Sequence, residues 1–297
     1  MIKLIKDDRI TITSGKNFKL KNFDTDFSLD FVSKESAGVI MQEHIQRIAA
    51  LQERLYASDN HAILMIFQAR DAAGKDSTIK HVMSGINPSG CQVVSFKVPT
   101  STEIEHDFLW RTAVQLPERG RIGIFNRSYY EEVLVTKVHP EIILNQRLPS
   151  VLTEKDLDKK FWEHRYESIR DHEKHLSRNG FVILKFFLNV SKKEQKKRFL
   201  ERIDQPDKNW KFSYGDIKER QYWDQYEDAF EQMIEETAEE HAPWFVIPSD
   251  KKWFAQLAVA RILLETLESL DLKFPELGDE EKAVLEKAKM ELESEKD

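Results

Sequence analysis

The 297-residue chain has a single cysteine and no long apolar stretch. One cysteine, Cys91, excludes an internal disulfide and is typical of a reducing compartment. No apolar run approaches the roughly 20 residues that a membrane-spanning helix needs, and the first residues lack the apolar core of a signal peptide. Gly/Ser-rich linkers and internal repeats are missing as well. We therefore expect a cytoplasmic protein with one main domain and no membrane partner.

Positive charge is in deficit overall but is concentrated in one segment. The formal net charge is −7, which argues against nucleic acid as a partner. Residues 192–220 nevertheless hold ten basic and six acidic residues, whereas residues 276–297 hold nine acidic residues and four lysines. Such an excess of cations predicts that residues 192–220 meet an anion with charge along its length, such as a chain of phosphates.

Hydrophobic periodicity predicts helices that alternate with strands. Helices are predicted at 36–56, 74–84, 99–114, 154–178, from Ser191 onward, 220–238 and 253–270, and strands at 62–67, 92–98, 122–125, 181–188 and 244–248. This alternation predicts an α/β fold, with a mainly parallel sheet wrapped by helices. We expect an N-terminal arm (1–35), one domain (36–270) that includes a helical lid at about 192–222, and a charged helical tail (271–297).

A phosphate-binding loop follows the first predicted strand but lacks two of its usual residues. The common pattern is G-x-x-x-x-G-K-[ST]; here Ala69 replaces the first glycine and Asp76 replaces the hydroxyl residue. The strand–loop–helix context still predicts an anion site made by backbone amides and the Lys75 ammonium. We expect phosphate to be bound by Ala72, Ala73, Gly74, Asp76 and Ser77. Since the usual Mg²⁺-binding hydroxyl is missing, Asp71 and Asp76 are candidates to replace it.

The predicted strand 122–125 is followed by Asn126, where P-loop enzymes usually have a carboxylate that contacts the metal. Arg127 offers a permanently charged, forked donor for phosphoryl oxygens. Glu131 and Glu132 lie about one turn further on, so either of them is a candidate for the missing negative charge. The alternative is an ordinary strand–helix junction with surface charges.

The basic segment contains cations at helical spacing. Arg198 and Arg202 are four residues apart and share a helix face, and Lys208 and Lys211 follow. The alternative interpretation is a solvated charged surface.

These motifs occur together in an order that resembles the polyphosphate kinase 2 family. The resemblance is carried by RDAAGKD (70–76), LPERGRIGIFNRSYYEEVLVTKVHP (116–140), EQKKRFLERIDQPDKNWKFS (194–213) and APWFVIP (242–248), and it extends from about residue 31 to 270. The form FNRSYYEE, with asparagine where many members have aspartate, resembles the class III branch, whose members phosphorylate both AMP and ADP. Many members also have glycine where Ala69 stands, so we expect a slightly altered turn.

The resemblance implies a P-loop kinase fold, a three-layer sandwich close to thymidylate kinase, with a helical lid over the active site. It implies Mg²⁺, with Mn²⁺ as a substitute, and a homo-oligomer, either a dimer or a tetramer. Asp71, Lys75, Asn126 and Arg127 would form the active centre, and Glu132, preferred over Glu131, would bind metal together with Asp71. From the lid, phosphates would be bound by Arg198, Arg202, Lys208 and Lys211.

The resulting hypothesis is a phosphotransferase that moves the terminal phosphate of inorganic polyphosphate to AMP or ADP, forming ADP and ATP. Two alternatives stay open. One is an ATP-dependent nucleotide kinase, which predicts a hydroxyl residue at position 76. The other is a non-catalytic regulator that binds polyanions or nucleotides, which predicts tight binding without turnover.

Overall fold

A computed structural model describes residues 3–28 and 33–295 of the chain. Six strands form one sheet: β1 (Thr11–Ile12), β2 (Ala62–Ala69), β3 (Cys91–Ser95), β4 (Ile122–Asn126), β5 (Phe181–Asn189) and β6 (Trp244–Pro248). Their order is β1-β6-β5-β2-β4-β3, and every neighbouring pair is parallel except β1 with β6. The mainly parallel sheet predicted from the sequence is confirmed.

The helices are α1 (Lys34–Ser58), α2 (Lys75–Val82), α3 (Ser101–Ile104), α4 (Trp110–Ala113), α5 (Val135–Val138), α6 (Glu141–Leu144), α7 (Lys159–Arg178), α8 (Lys192–Asp204), α9 (Tyr214–Glu219), α10 (Trp223–Thr237), α11 (Lys252–Ser269) and α12 (Asp279–Ser294). Short 3₁₀ helices lie at Leu4–Lys6, Leu20–Asn22, Pro88–Gly90, Tyr129–Val133, Glu154–Asp156, Pro206–Lys211 and Arg220–Tyr222. Within residues 3–28 and 33–295, no helix has the length and apolarity needed to cross a membrane.

The central strand β2 is buried on both faces, because helices cover the sheet from two sides. Ile63, Met65 and Phe67 pack in one core with α1, α2 and α11. Leu64 and Ile66 point the other way, into a second core with α7 and α10. Successive side chains of a strand point to opposite faces of the sheet, so an apolar strand needs a helical layer on each face. The result is the three-layer sandwich expected from the sequence.

The topology brings several polar segments to one edge of the sheet. Parallel strands end at the same edge, so the segments after β2, β4, β5 and β6 all start there. The phosphate loop follows β2, the Arg127 turn follows β4, and α8 follows β5 after a two-residue link. The candidate functional site therefore lies at this edge of the sheet.

The single helix predicted at 99–114 is wrong. The structure has two short helices there, α3 and α4. Thr100 caps the first one, with a reciprocal hydrogen bond to Glu103. The Asp107 carboxylate then accepts the backbone N–H of Leu109 at 2.9 Å. This local side-chain hydrogen bond competes with helical pairing and starts a new turn.

The two ends of the chain differ in how they meet the domain. Residues 1–2 and 29–32 of the predicted arm (1–35) are outside the described part of the chain. Part of the remaining arm packs against the domain. Strand β1 pairs with β6, and Leu4, Ile10 and Phe18 are buried in the two cores. At the other end, α12 has no buried residue; the predicted tail continues to 297, and residues 296–297 lie outside the described part.

A fully buried ion pair lies between α7 and β5. The Lys185 Nζ is 2.7 Å from the Glu173 carboxylate, and both side chains have zero exposure. Glu173 also accepts the hydroxyl groups of Tyr129 (2.8 Å) and Tyr130 (2.7 Å). Lys185 donates further to the Tyr130 hydroxyl and to the carbonyl oxygen of Thr237. Every charge in this network therefore has several partners, which offsets its removal from water.

Removing one partner should leave the other charge unpaired in the core. We expect Glu173→Gln to lower the free energy of unfolding by about 3–5 kcal/mol, measured by urea denaturation. On the same helix, Glu163 is 52% exposed and pairs with Lys159. As a control, Glu163→Gln should change the free energy of unfolding by less than about 1 kcal/mol. Equal effects of the two variants would contradict the assigned role of the buried pair.

Candidate active site

The phosphate loop connects the end of β2 to the start of α2. Ala72 (φ 59°) and Gly74 (φ 109°) have left-handed backbone angles that close the turn. Ala69 still belongs to β2, so the backbone does not require a glycine there. Lys75 is the first residue of α2, and its Nζ donates to the carbonyl oxygen of Ala69 at 3.0 Å. The ammonium group is thereby held across the loop.

Two side chains of α8 hold the carbonyl side of this loop. The Gln195 amide donates to the carbonyl oxygen of Asp71 at 3.0 Å. One guanidinium nitrogen of Arg198 donates to the carbonyl oxygens of Ala72 (3.0 Å) and Ala73 (2.7 Å). In a trans peptide the N–H points opposite to the C=O. Because the carbonyl groups of residues 71–73 point toward α8, the N–H groups of the same peptide units, those of residues 72–74, point away from α8.

Arg198 is held by contacts within the protein. It is 3% exposed, and its other nitrogens donate to Glu194 and to the carbonyl oxygens of Ser249 and Asp250. All three guanidinium nitrogens are thus hydrogen-bonded, and these contacts hold the loop in place. The expectation that Arg198 also binds phosphates from the lid stays a prediction.

The turn after β4 brings Arg127 to the loop. One terminal nitrogen of Arg127 is 3.3 Å from the Asp71 carboxylate, and the other is 3.4 Å from the Glu131 carboxylate. Its backbone has a φ angle of 64°, which is unusual for arginine, and its N–H is bonded to the carbonyl oxygen of Phe67. The two carboxylates thus orient the guanidinium, which stays 42% exposed at the site.

Glu131 and Glu132 point in different directions. Tyr129–Val133 is a 3₁₀ helix, so successive side chains are about 120° apart. The Glu132 carboxylate is bonded to Gln146 (2.6 Å) and to Arg165 (3.2 Å), away from the loop. The structure therefore does not support Glu132 as the metal-binding carboxylate, and it places Glu131 beside Arg127 and Asp71 instead.

Two cavities meet at this site. The first, of about 480 Å³, we call the aromatic cavity; its non-polar lining is Ala69, Leu134, Val135, Ile142, Trp223, Tyr226 and Phe230, and its charged lining is Arg70, Asp71, Arg127, Glu131, Glu141, Asp216, Glu219 and Arg220. The second, of about 470 Å³, we call the cationic cavity; its basic lining is Lys75, Arg127, Arg198, Arg202, Lys208, Lys211 and Lys252. Asp71, Arg127 and Asp216 line both cavities. Two of the residues expected to be catalytic, Asp71 and Arg127, therefore lie where the two spaces meet.

Crowded charges shift the pKa values of groups at this junction. Burial raises the pKa of Glu131, although Arg127 and Lys75 oppose the shift. Burial, together with the charge of Asp71, raises the pKa of Asp216. Burial and the charge of Arg127 lower the pKa of Lys75. A nearby cation would stabilise the charged form of these carboxylates, and a nearby anion would stabilise the charged form of Lys75. A complex of a metal ion with phosphate supplies both charges.

The carboxylates at this site suit Mg²⁺ only together with other ligands. Within the described ranges, no three His, Cys, Asp or Glu side chains lie close enough to hold a metal by themselves. Mg²⁺ often binds through only one or two carboxylates together with waters and phosphate oxygens. Asp71, Glu131 and Asp216 provide hard oxygen donors of this kind, so the residues present fit a cation that arrives with phosphate.

A family model described as polyphosphate kinase 2 matches residues 32–275. The chain belongs to this family. It is 50% identical over 272 residues to the ADP-polyphosphate phosphotransferase of Rhodopseudomonas palustris, covering 92% of this chain and 93% of that protein. It is 44% identical over 260 residues to the AMP/ADP-polyphosphate phosphotransferase of Meiothermus ruber, covering 87% and 92%.

A solved structure of a member of the polyphosphate kinase 2 family has the same fold. The polyphosphate kinase 2 of Arthrobacter aurescens TC1 superposes with a TM-score of 0.83 at 38% identity, covering 93% of this chain and 95% of that one. The family resemblance noted from the sequence is therefore confirmed, and so is the expected α/β sandwich.

Most of the predicted site residues of this family member lie together. The cationic cavity is lined by all of them except Glu132: Asp71, Ala72, Ala73, Gly74, Lys75, Asp76, Ser77, Asn126, Arg127, Arg198, Arg202, Lys208 and Lys211. Sequence reasoning missed three residues at the site: Gln195, Asp216 and Lys252. Lys252 had a usable signal, because it lies a few residues after β6, at the strand edge that carries the loop. Gln195 and Asp216 had none beyond their place in the basic segment.

Arg198 should be irreplaceable by another cation. We expect Arg198→Lys to lower the free energy of unfolding by about 2–3 kcal/mol, because one ammonium cannot bond carbonyls in two separate segments. Binding of inorganic pyrophosphate, followed by calorimetry, should weaken about tenfold as the loop loses its support.

The matched control is Lys197→Ala on the same helix, where the side chain is 66% exposed and lines neither cavity. This variant should bind pyrophosphate as wild type does. If Arg198→Lys also kept wild-type stability and binding, the loop would not depend on Arg198.

Proposed function

We propose that this protein is a polyphosphate-dependent nucleotide phosphotransferase, which moves the terminal phosphate of inorganic polyphosphate to AMP or ADP and forms ADP and ATP. The observation that carries the proposal is the pair of adjoining cavities, one with aromatic walls and one with a surplus of cations, with Asp71 and Arg127 at their junction. The names of the two relatives support the same donor and acceptors. The M. ruber relative, named for both AMP and ADP, supports the class III assignment.

The cationic cavity suits the donor. Seven of its lining residues are basic and four are acidic, so its surplus positive charge favours a polyanion. Arg202, Lys208 and Lys211 come from the segment predicted as the lid, and Lys252 from the start of α11. Burial and the nearby charges of Arg198 and Lys208 lower the pKa of Lys252, although Glu201 and Glu194 oppose the shift. Phosphate units entering here reach Lys75 and the loop.

The aromatic cavity suits the nucleoside of the acceptor, because Trp223, Tyr226 and Phe230 offer ring faces for a base. Its wall also holds three arginines and five carboxylates (Arg70, Arg127, Arg220, Asp71, Glu131, Glu141, Asp216 and Glu219). The acceptor phosphates would lie at the arginines, and a divalent cation would offset the carboxylates. A nucleotide held in this orientation points its terminal phosphate toward the junction with the cationic cavity.

Transfer is then a matter of alignment and charge. Lys75 and Arg127 hold the transferring phosphoryl group, and the amide N–H groups of the loop bind its oxygens. A divalent cation, Mg²⁺ or Mn²⁺, held by Asp71 and Glu131, would neutralise phosphate charge when bound. The acceptor phosphate is already ionised at neutral pH, so the reaction requires no strong general base. Closure of the lid excludes water that would otherwise hydrolyse the donor.

Two alternatives make different predictions for the same assay. An ATP-dependent nucleotide kinase would phosphorylate AMP with a nucleoside triphosphate but not with polyphosphate. A non-catalytic regulator would bind polyphosphate or nucleotide without any product. The homo-oligomer and the cytoplasmic location expected from the sequence remain predictions.

The test of the function is a time course with polyphosphate as the only phosphate donor. Purified protein with Mg²⁺ and AMP should form ADP and then ATP, resolved by chromatography. Absence of product from both AMP and ADP would reject the proposal. Product formed only with GTP as donor would favour the nucleotide kinase.

Lys75→Ala should nearly abolish the reaction. The variant loses the point charge at the phosphoryl group that is being transferred, and we expect kcat for ATP formation from ADP to fall at least about 100-fold. Lys197→Ala is the control for a surface lysine and should retain wild-type kcat. A Lys75→Ala protein with more than about a tenth of wild-type kcat would contradict the role of Lys75.

Lys208→Ala should act on donor binding instead. We expect the KM for polyphosphate to rise several-fold with little change in kcat, because Lys208 lines the cationic cavity away from the junction. The difference from wild type should shrink as added salt screens the interaction. An unchanged KM at low salt would show that the donor does not pass Lys208.

A further inference from the structure

The two departures from the usual P-loop pattern are in direct contact. Asp76 stands where a hydroxyl residue is common, and Asn126 stands where the strand usually ends in a carboxylate. In the folded chain, Nδ2 of Asn126 donates to Oδ1 of Asp76 at 2.7 Å. The same nitrogen lies 3.5 Å from the Ser95 hydroxyl. The two unusual residues thus form one hydrogen-bonded pair.

This distance restricts which residues can occupy the two positions together. Two carboxylates at 2.7 Å would place like charges in contact, and one of them would have to take up a proton. Two amides would satisfy the hydrogen bond but would remove a negative charge beside Lys75. One carboxylate and one amide keep both the bond and the charge, and geometry allows either arrangement.

The pair faces the place where donor phosphate is expected. Asp76 and Asn126 both line the cationic cavity, together with Asp71 and Lys75. Among the residues that the structure describes, none donates a hydrogen bond to Oδ2 of Asp76 or to the single side-chain oxygen, Oδ1, of Asn126. The pair therefore has a free carboxylate oxygen and a free amide oxygen, which are ligands that Mg²⁺ and Mn²⁺ accept.

We propose that Asp76 and Asn126 form an exchangeable carboxylate–amide pair, in which Asp76 supplies the divalent cation with the negative charge that a strand-end carboxylate supplies in other P-loop enzymes. Asn126 is then the residue that permits a carboxylate at position 76. The inference rests on the proposed function for the role of the cation in the reaction. The exchange between the two positions is a property of metal binding and is measurable without turnover.

A simpler interpretation is that the hydrogen bond only ties α2 to β4. The two interpretations differ in what an exchange of the residues does. A purely structural bond is satisfied by Asp76→Asn alone, and metal binding is then unchanged. An exchangeable pair loses metal affinity in Asp76→Asn and regains it when Asn126→Asp is added.

The experiment compares four proteins: wild type, Asp76→Asn, Asn126→Asp and the double variant with both changes. Mn²⁺ binding is measured without nucleotide, first with the metal alone by electron paramagnetic resonance. It is then measured as the Mn²⁺-dependent rise in melting temperature at a fixed concentration of inorganic tripolyphosphate. Asp207→Asn is the control, because Asp207 is exposed on the same charged segment and lines neither cavity.

We expect Asp76→Asn to weaken Mn²⁺ binding by about tenfold or more, while the double variant binds within about threefold of wild type. Asn126→Asp alone should keep its metal affinity but melt at a lower temperature in metal-free buffer, where its two carboxylates repel each other. In that buffer the double variant should melt close to wild type. The Asp207→Asn control should match wild type in every measurement.

Two results would overturn the proposal. One is wild-type Mn²⁺ binding by Asp76→Asn in both arms, with metal alone and with tripolyphosphate. The other is a double variant that binds as weakly as Asp76→Asn. Both results concern Mn²⁺ binding and do not depend on turnover. The proposed function is tested separately, by the formation of nucleotide product, so a failure of the carboxylate–amide proposal is distinguishable from a failure of the proposed function.

Discussion

The site depends on the hydrogen bonds by which α8 holds the phosphate loop. Three successive carbonyl oxygens, those of residues 71–73, accept from Gln195 and Arg198. Without these donors, a loop with a left-handed alanine at position 72 would have little to keep its amides aligned. Because Arg198 also bonds the carbonyls of Ser249 and Asp250, the end of β6 is tied to the same point. The loop, α8 and the end of β6 are therefore held together by one set of hydrogen bonds.

This arrangement separates two kinds of cation that look alike in the sequence. Arg198 is buried and fully bonded, so it shapes the loop, whereas Lys208 and Lys211 on the next segment are exposed and line the cationic cavity. A polyanion neutralises the second kind without disturbing the first. The cavity thus combines a loop held by hydrogen bonds with exposed lysines, an arrangement that suits the proposed donor because that donor varies in length.

Much of the fold was predictable, because strands buried on both faces give continuous apolar runs and the loop has a recognisable pattern. The choice between Glu131 and Glu132 was not. In a 3₁₀ helix, neighbouring side chains diverge by about 120°, and only the partners of Glu132, Gln146 and Arg165, show which one faces away. The contacts of Arg198 could not be predicted either. The spacing of cations along a helix shows that they share a face, but it does not show whether that face meets carbonyl groups or solvent.

The buried ion pair explains why the Arg127 turn has this orientation. Tyr129 and Tyr130 both donate to Glu173, and Lys185 bonds the Tyr130 hydroxyl as well. Two adjacent side chains of the turn are thereby fixed to α7 and β5, which sets the rotation of the 3₁₀ helix that continues into Glu131.

A buried ion pair is poor evidence of added stability, because desolvation offsets its attraction. Its effect here is orientational: with the two tyrosines fixed, Glu131 has to face Arg127 and Glu132 has to face Arg165. An apolar core of equal volume would bury as much surface but would leave the rotation of the turn unspecified. The Glu131 carboxylate, which contacts Arg127 at the junction of the two cavities, is thus positioned by charges in the core that line neither cavity.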